Sequence, residues 1–87
     1  MAIENLKTRI TQVFDEVFKE HTQAAVSPAL KDDSILLETG LDSLGFAILV
    51  IRLEEELGYD PFVISTEAYY PQTFGDFVRF YEANQPQ

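Results

Sequence analysis

Between Ile3 and Phe18 the apolar residues Ile3, Leu6, Ile10, Val13, Phe14, Val17 and Phe18 return at steps of three and four. Only a helix gathers such a series onto one face, so this stretch commits the chain to burying a helical stripe. The spacing predicts a first helix from about Ile3 to Glu20. Lys19 and His21 stand near its end, where positive charge suits the macrodipole, and Pro28 opposes continuation. His21 is expected to be an exposed helix-end residue with no chemistry of its own.

Two further runs carry the same period. The first follows Gly40, Asp42 and Ser43, residues that end a loop and open a helix, and it reaches Leu57. With Phe46, Leu49, Val50, Leu53 and Leu57 turned inward, Leu44, Ala47, Ile48 and Ile51 fall on or beside the outer face. A short domain has difficulty covering both sides of such a helix, so the outer residues read as a partner-binding patch. Glu54 and Glu55 extend it with negative charge. Gly58 and Pro61 supply stop signals. Ser65 or Thr66 is then expected to cap a short third helix ending at Tyr70, before Pro71. Thr73 with Asp76 three residues on, followed by Phe77, Val78 and Tyr81 at helical spacing, predicts a fourth helix from Phe74 to Ala83. Its aromatic residues Phe74, Phe77, Phe80 and Tyr81 read as core packing. Gly75 costs that helix about 1 kcal/mol relative to alanine unless a neighbour requires close approach. The tail 84–87 is expected to fray.

The stretch from Thr22 to Asp42 lacks a period and is long for a connection. Leu30, Ile35, Leu37 and Leu41 are expected to pin it to the core. Asp32, Asp33 and Ser34 do not have the spacing of a calcium loop and read as a solvated turn. The expected fold is therefore all-α, with three longer helices, a short third one and a long first loop.

At 87 residues the chain has interior for one domain, 1–87. Hydrophobic residues make up 46% of it, enough for a core, while six basic against fifteen acidic residues leave a net charge of −9. That field repels nucleic acids and anionic lipid surfaces, and it favours partners with basic patches. With no cysteine the chain offers neither a disulfide framework nor a thiol of its own. The first residues lack the charge and apolar run of a secretory leader, and no stretch approaches the ~20 apolar residues of a membrane span. A cytoplasmic monomer is expected, with neither nucleic acid nor membrane as partner.

Ser43 sits where the amides of a helix mouth have no carbonyl partners and the macrodipole is positive, so a phosphate esterified to its hydroxyl would be well placed. Gly40-Leu41-Asp42-Ser43-Leu44 resembles the phosphopantetheine-attachment motif of acyl carrier proteins, and Leu53-Glu54-Glu55-Glu56-Leu57-Gly58 looks like the acidic end of the same family helix. The resemblance extends over nearly the whole chain and implies a four-helix acyl-carrier-like bundle. It implies that Ser43, flanked by Asp42 and Leu44, receives a 4′-phosphopantetheine arm from a transferase using coenzyme A and magnesium. It also implies that the arm's thiol bears acyl groups as thioesters, presented to loading and transferring enzymes that dock on Leu44, Ala47, Ile48, Ile51, Glu54 and Glu55.

Gly45 and Ile48 stand where carriers of fatty-acid synthesis are commonly acidic, and Phe46 stands where a small residue is usual. Docking is accordingly expected to be more apolar, as suits a carrier serving a dedicated ligase or lipid-modifying pathway better than the housekeeping fatty-acid carrier, within the range of fatty-acid, polyketide and specialised lipid pathways. No catalytic triad, paired acid and base carboxylates, phosphate cradle or metal constellation is evident in the sequence, so no catalysis and no metal are expected. Two alternatives remain open: an aminoacyl or peptidyl carrier loaded by an adenylating ligase, and an unmodified acidic helical adaptor.

Overall fold

Helix α1 (Leu6–Thr22) buries Ile10, Val13, Phe14, Val17 and Phe18, the stripe its spacing demands. A computed structural model describes residues 6–65 and 70–85, so Ile3 and the end of the tail, 86–87, lie outside the described residues. Pro28 is not what stops α1. The helix runs on past Glu20 through His21, and the chain leaves it at Gln23, whose φ of 60° is left-handed. Thr22 ties its hydroxyl back to the Phe18 carbonyl at 2.6 Å.

Helix α2 (Ser43–Leu57) begins and ends where its signals stand, with Asp42 as N-cap and Gly58 as a left-handed C-cap at φ 85°. It packs on α1. Arg9 near the start of α1 meets Glu56 at the end of α2, N to O 3.0 Å. Arg52 meets Glu20 at 3.0 Å, and His21 at the end of α1 meets Asp42 at the start of α2, 2.9 Å. The two helices therefore run antiparallel. Exposed ion pairs contribute little net energy, so these contacts mark the register, while the apolar interface between Ile10, Val17, Leu49 and Leu53 carries the association.

Helix α3 (Pro61–Ile64) is one turn, and it lies earlier than the Ser65 or Thr66 cap implies. Asp60 accepts the Phe62 amide at 2.9 Å and Pro61 occupies the first helical position. Proline is favoured there because its missing N–H would have had no partner, so the residue taken as a stop is a start. Ser65 closes the turn as C-cap, and 66–69, including Thr66, lie outside the described residues.

Helix α4 (Phe74–Ala83) packs on α1 and buries Phe74, Phe77, Val78 and Tyr81. Phe62 of α3 fills the space beside it, with ring centroids 4.8 Å from Phe80 and 6.4 Å from Phe77. Phe46 of α2 closes the cluster 5.4 Å from Phe77. Tyr59 is also buried, and its hydroxyl donates to the Tyr81 carbonyl at 2.9 Å.

The loop from Gln23 to Asp42 is pinned by Leu36 and Leu41, with Leu30 partly buried. Ile35 and Leu37 are instead exposed, because a 3-10 turn over Leu36–Glu38 directs the residue between them inward. The loop also caps α4. Ser34 and Asp32 give their carbonyls to the amides of Phe74 and Gly75, at 2.8 and 2.9 Å, and an antiparallel bridge joins Ile35 to Thr73. A Cβ at Gly75 would lie 2.9 Å from the Asp32 oxygen, which is the close approach that justifies glycine in this helix. Four helices, three of them long, thus enclose one core, and there is no strand among the described residues. No helix among them is long and apolar enough to cross a membrane.

Candidate functional site at the mouth of helix α2

Asp42, extended at φ −80° and ψ −178°, takes the Gly45 amide on its side-chain Oδ1 at 2.8 Å, while its carbonyl accepts the Phe46 amide at 2.8 Å. These bonds use the inner amides of the first turn. The amides of Ser43 and Leu44, at the first two helical positions, have no carbonyl a turn behind them and face outward with the positive end of the macrodipole. Ser43 is exposed, and so is Leu44 beside it. A phosphate esterified to the exposed Ser43 hydroxyl would lie at this positive end.

The carboxyl of Asp42 is held below the usual carboxylate range, first by the Gly45 amide and then by the His21 ring. His21 is the member of the site that periodicity did not reveal. Only about a fifth of its side chain is exposed, at 21%, and it borders a cleft of about 220 Å³ with Val17, Glu20 and Ile48. The signal was the length of α1, because the helix runs two residues past Glu20, to Thr22, and so carries His21 to α2. Serine, histidine and aspartate thus gather at one helix mouth. The ring's Nε2 meets Asp42, whereas a serine nucleophile needs that nitrogen on its own hydroxyl.

On α2 the buried line is Gly45, Leu49 and Leu53, and the opposite line is Leu44, Ala47, Ile51, Glu54 and Glu55, all exposed. Leu44 is 63% and Ile51 59% accessible, so an apolar strip runs from the mouth toward two carboxylates. Ile48 does not belong to that strip. It is partly buried against the core and leans on α1, because the helix is rotated so that Gly45, not Phe46, sits at the centre of the contact. Phe46, Val50 and Leu57 flank the contact as partly buried residues. Glu56 is turned back to Arg9.

Asp32, read as part of a solvated turn, is paired with Lys7 at 2.8 Å, and that contact holds its carboxyl low. Among the described residues there is no group of three or more side chains able to hold a metal ion. A wider open groove of about 390 Å³ lies between α1 and the loop, beside Gln12, Asp15, Ser27 and Pro28, and takes in none of the α2-mouth residues. Comparison with protein-family models, with curated proteins and with solved structures returned no match.

Proposed function

We propose that this chain is an acyl carrier domain in which Ser43 accepts a 4′-phosphopantetheine arm. The observation that carries the reading is the exposed serine at the first position of α2, directly after a capping aspartate and at the head of an exposed apolar and acidic strip. The arm supplies a thiol that holds acyl groups as thioesters. The protein's own work is to present and to dock. The Ser43 and Leu44 amides at the helix mouth would hold the esterified phosphate, and Asp42 keeps the turn that displays Ser43. Leu44, Ala47 and Ile51 offer apolar contact to a partner enzyme, and Glu54 and Glu55 attract its basic residues. Tethering gives a bound group a high effective concentration at whichever enzyme the strip engages. The packing of Phe46 against Phe62 and Phe77 favours short cargo riding outside the helices, since opening a packed interior costs about 1–3 kcal/mol of strain.

Incubation with a promiscuous phosphopantetheinyl transferase, coenzyme A and magnesium should add the mass of one arm to the wild type and none to Ser43→Ala. Absence of the addition on wild type sinks the proposal. The same strip would also serve an unmodified adaptor, and the mass of protein from its native host separates the two, because only a carrier shows the added arm.

A further inference from the structure

Resting on the reading of Ser43 as attachment site, we propose that His21 is its positioning residue: a latch from the end of α1 that holds Asp42 and so the first turn of α2. The contact is built from three directions. His21 Nε2 lies 2.9 Å from Asp42 Oδ1, and the same oxygen accepts the Gly45 amide at 2.8 Å. A Cβ on Gly45 would stand 2.8 Å from the ring's Cδ2 and 2.5 Å from Leu41 Cδ1. The ring and a core leucine therefore close on position 45 together, and only glycine leaves them room. Leu41 is 1% exposed, so this junction is anchored in the core.

The asymmetry between the two partners gives the latch its direction. The Asp42 side chain is 68% exposed, against 21% for His21. The ring is largely covered and lies against the backbone of Gly45, whereas the carboxylate stands in solvent, so the ring is the fixed partner and holds the carboxylate. Released from the ring, an exposed carboxylate gains rotamers that abandon the Gly45 amide, and the first turn then frays. Ser43 follows Asp42 directly. Its hydroxyl then leaves the helix mouth for part of the time, and a transferase that must find it there works more slowly. The bond requires hydrogen on Nε2, which a suitable tautomer or the imidazolium supplies.

Two substitutions in the full chain separate the bond from the packing. His21→Phe keeps a ring over Gly45 and removes the donor. His21→Gln removes the ring and returns an N–H near the position of Nε2. Two quantities are measured: amide hydrogen exchange at Gly45 and Phe46, and kcat/KM for arm attachment by a promiscuous transferase. In His21→Phe, exchange at both amides should quicken and kcat/KM should fall about fivefold, the effect of losing a cap. In His21→Gln both should stay within about twofold of wild type if the donor alone restores the cap. A phenylalanine variant equal to wild type, or a glutamine variant impaired as far as phenylalanine, overturns the latch while Ser43 is still modified. A wild type that accepts no arm overturns the attachment reading, and with it any role of His21 in attachment.

Discussion

The mouths of α2 and α4 share their cap and differ in their surroundings. Each helix opens on an extended residue whose side-chain oxygen takes an amide three residues on, Asp42 for Gly45 and Thr73 for Asp76. At α4 the loop closes over the mouth, because Ser34 and Asp32 direct carbonyls at the outer amides. At α2 the corresponding amides belong to exposed Ser43 and Leu44. A cap therefore says that a helix begins, while the filling of its remaining amides says whether that beginning is structural or available to a ligand. The flanks differ in the same sense, since α4 turns its aromatic stripe into the core and α2 keeps an apolar line outside.

The largest expected effect is on the closed helix. Phe77→Ala should cost about 3–5 kcal/mol in denaturant unfolding, because Phe77 is fully buried among Phe46, Phe62 and Tyr81. A loss under about 1 kcal/mol would mean that this region is loosely packed and that the contrast with α2 is false. On α2 itself, Ile48→Asp should cost roughly 1–3 kcal/mol, since the side chain leans on the core. Its near neighbour should behave oppositely. Ile51→Asp, on the exposed line, is expected to change stability by less than about 0.5 kcal/mol. On the proposed carrier function it should nevertheless slow acyl transfer by a cognate enzyme about tenfold, corresponding to roughly 1.4 kcal/mol of docking energy. Equal melting losses for the two isoleucine variants would show that α2 has no open side.

Thr73→Ala should lower stability by about 1 kcal/mol, the usual value of a cap, and leave arm attachment at Ser43 unchanged. Slower attachment in that variant would couple the two mouths. The smallest effect concerns acid. Asp32, Asp42 and Asp76 all have carboxyls held below the unfolded value of 3.8, chiefly by Lys7, the Gly45 amide and Arg79 respectively. A depressed folded pKa contributes stability above the unfolded pKa, and that stability disappears as pH falls through the folded one. The melting temperature should accordingly hold between about pH 5 and 8 and decline below about pH 4. NMR titration of the three carboxyls checks the origin, and a midpoint at or above 3.8 for Asp76 would remove the α4 mouth from the account.

The limits of α2 and α4 were legible because each has a cap, a periodic stripe and, for α2, a glycine stop inside its own sequence. That Ser43 opens α2 was legible for the same reason, since a helix mouth is a local object. Most of the helix expected before Tyr70 lies outside the described residues. The turn of α3 at Pro61–Ile64 was not anticipated because a proline after an aspartate reads equally as the end of one helix and the start of another. Near neighbours in the chain do not decide between them. In the loop, Leu36 turned inward where Ile35 and Leu37 were expected, because an irregular segment has no period and its partner, Gln72, is far away in sequence.

By itself the sequence determined that the chain forms amphipathic helices, where two of them begin and end, and that Ser43 opens the second. Only the tertiary structure decided that His21 reaches Asp42, that Ile48 is half-covered while Ile51 is not, and that the loop closes the mouth of α4 and leaves that of α2 exposed. The physical reason is range. Capping and periodicity act over three or four residues and are written in adjacent positions. The rotation of α2 against α1 is set by the interlocking of Gly45, Leu49 and Leu53 with residues more than twenty positions away, and close packing admits few rotations that leave no void.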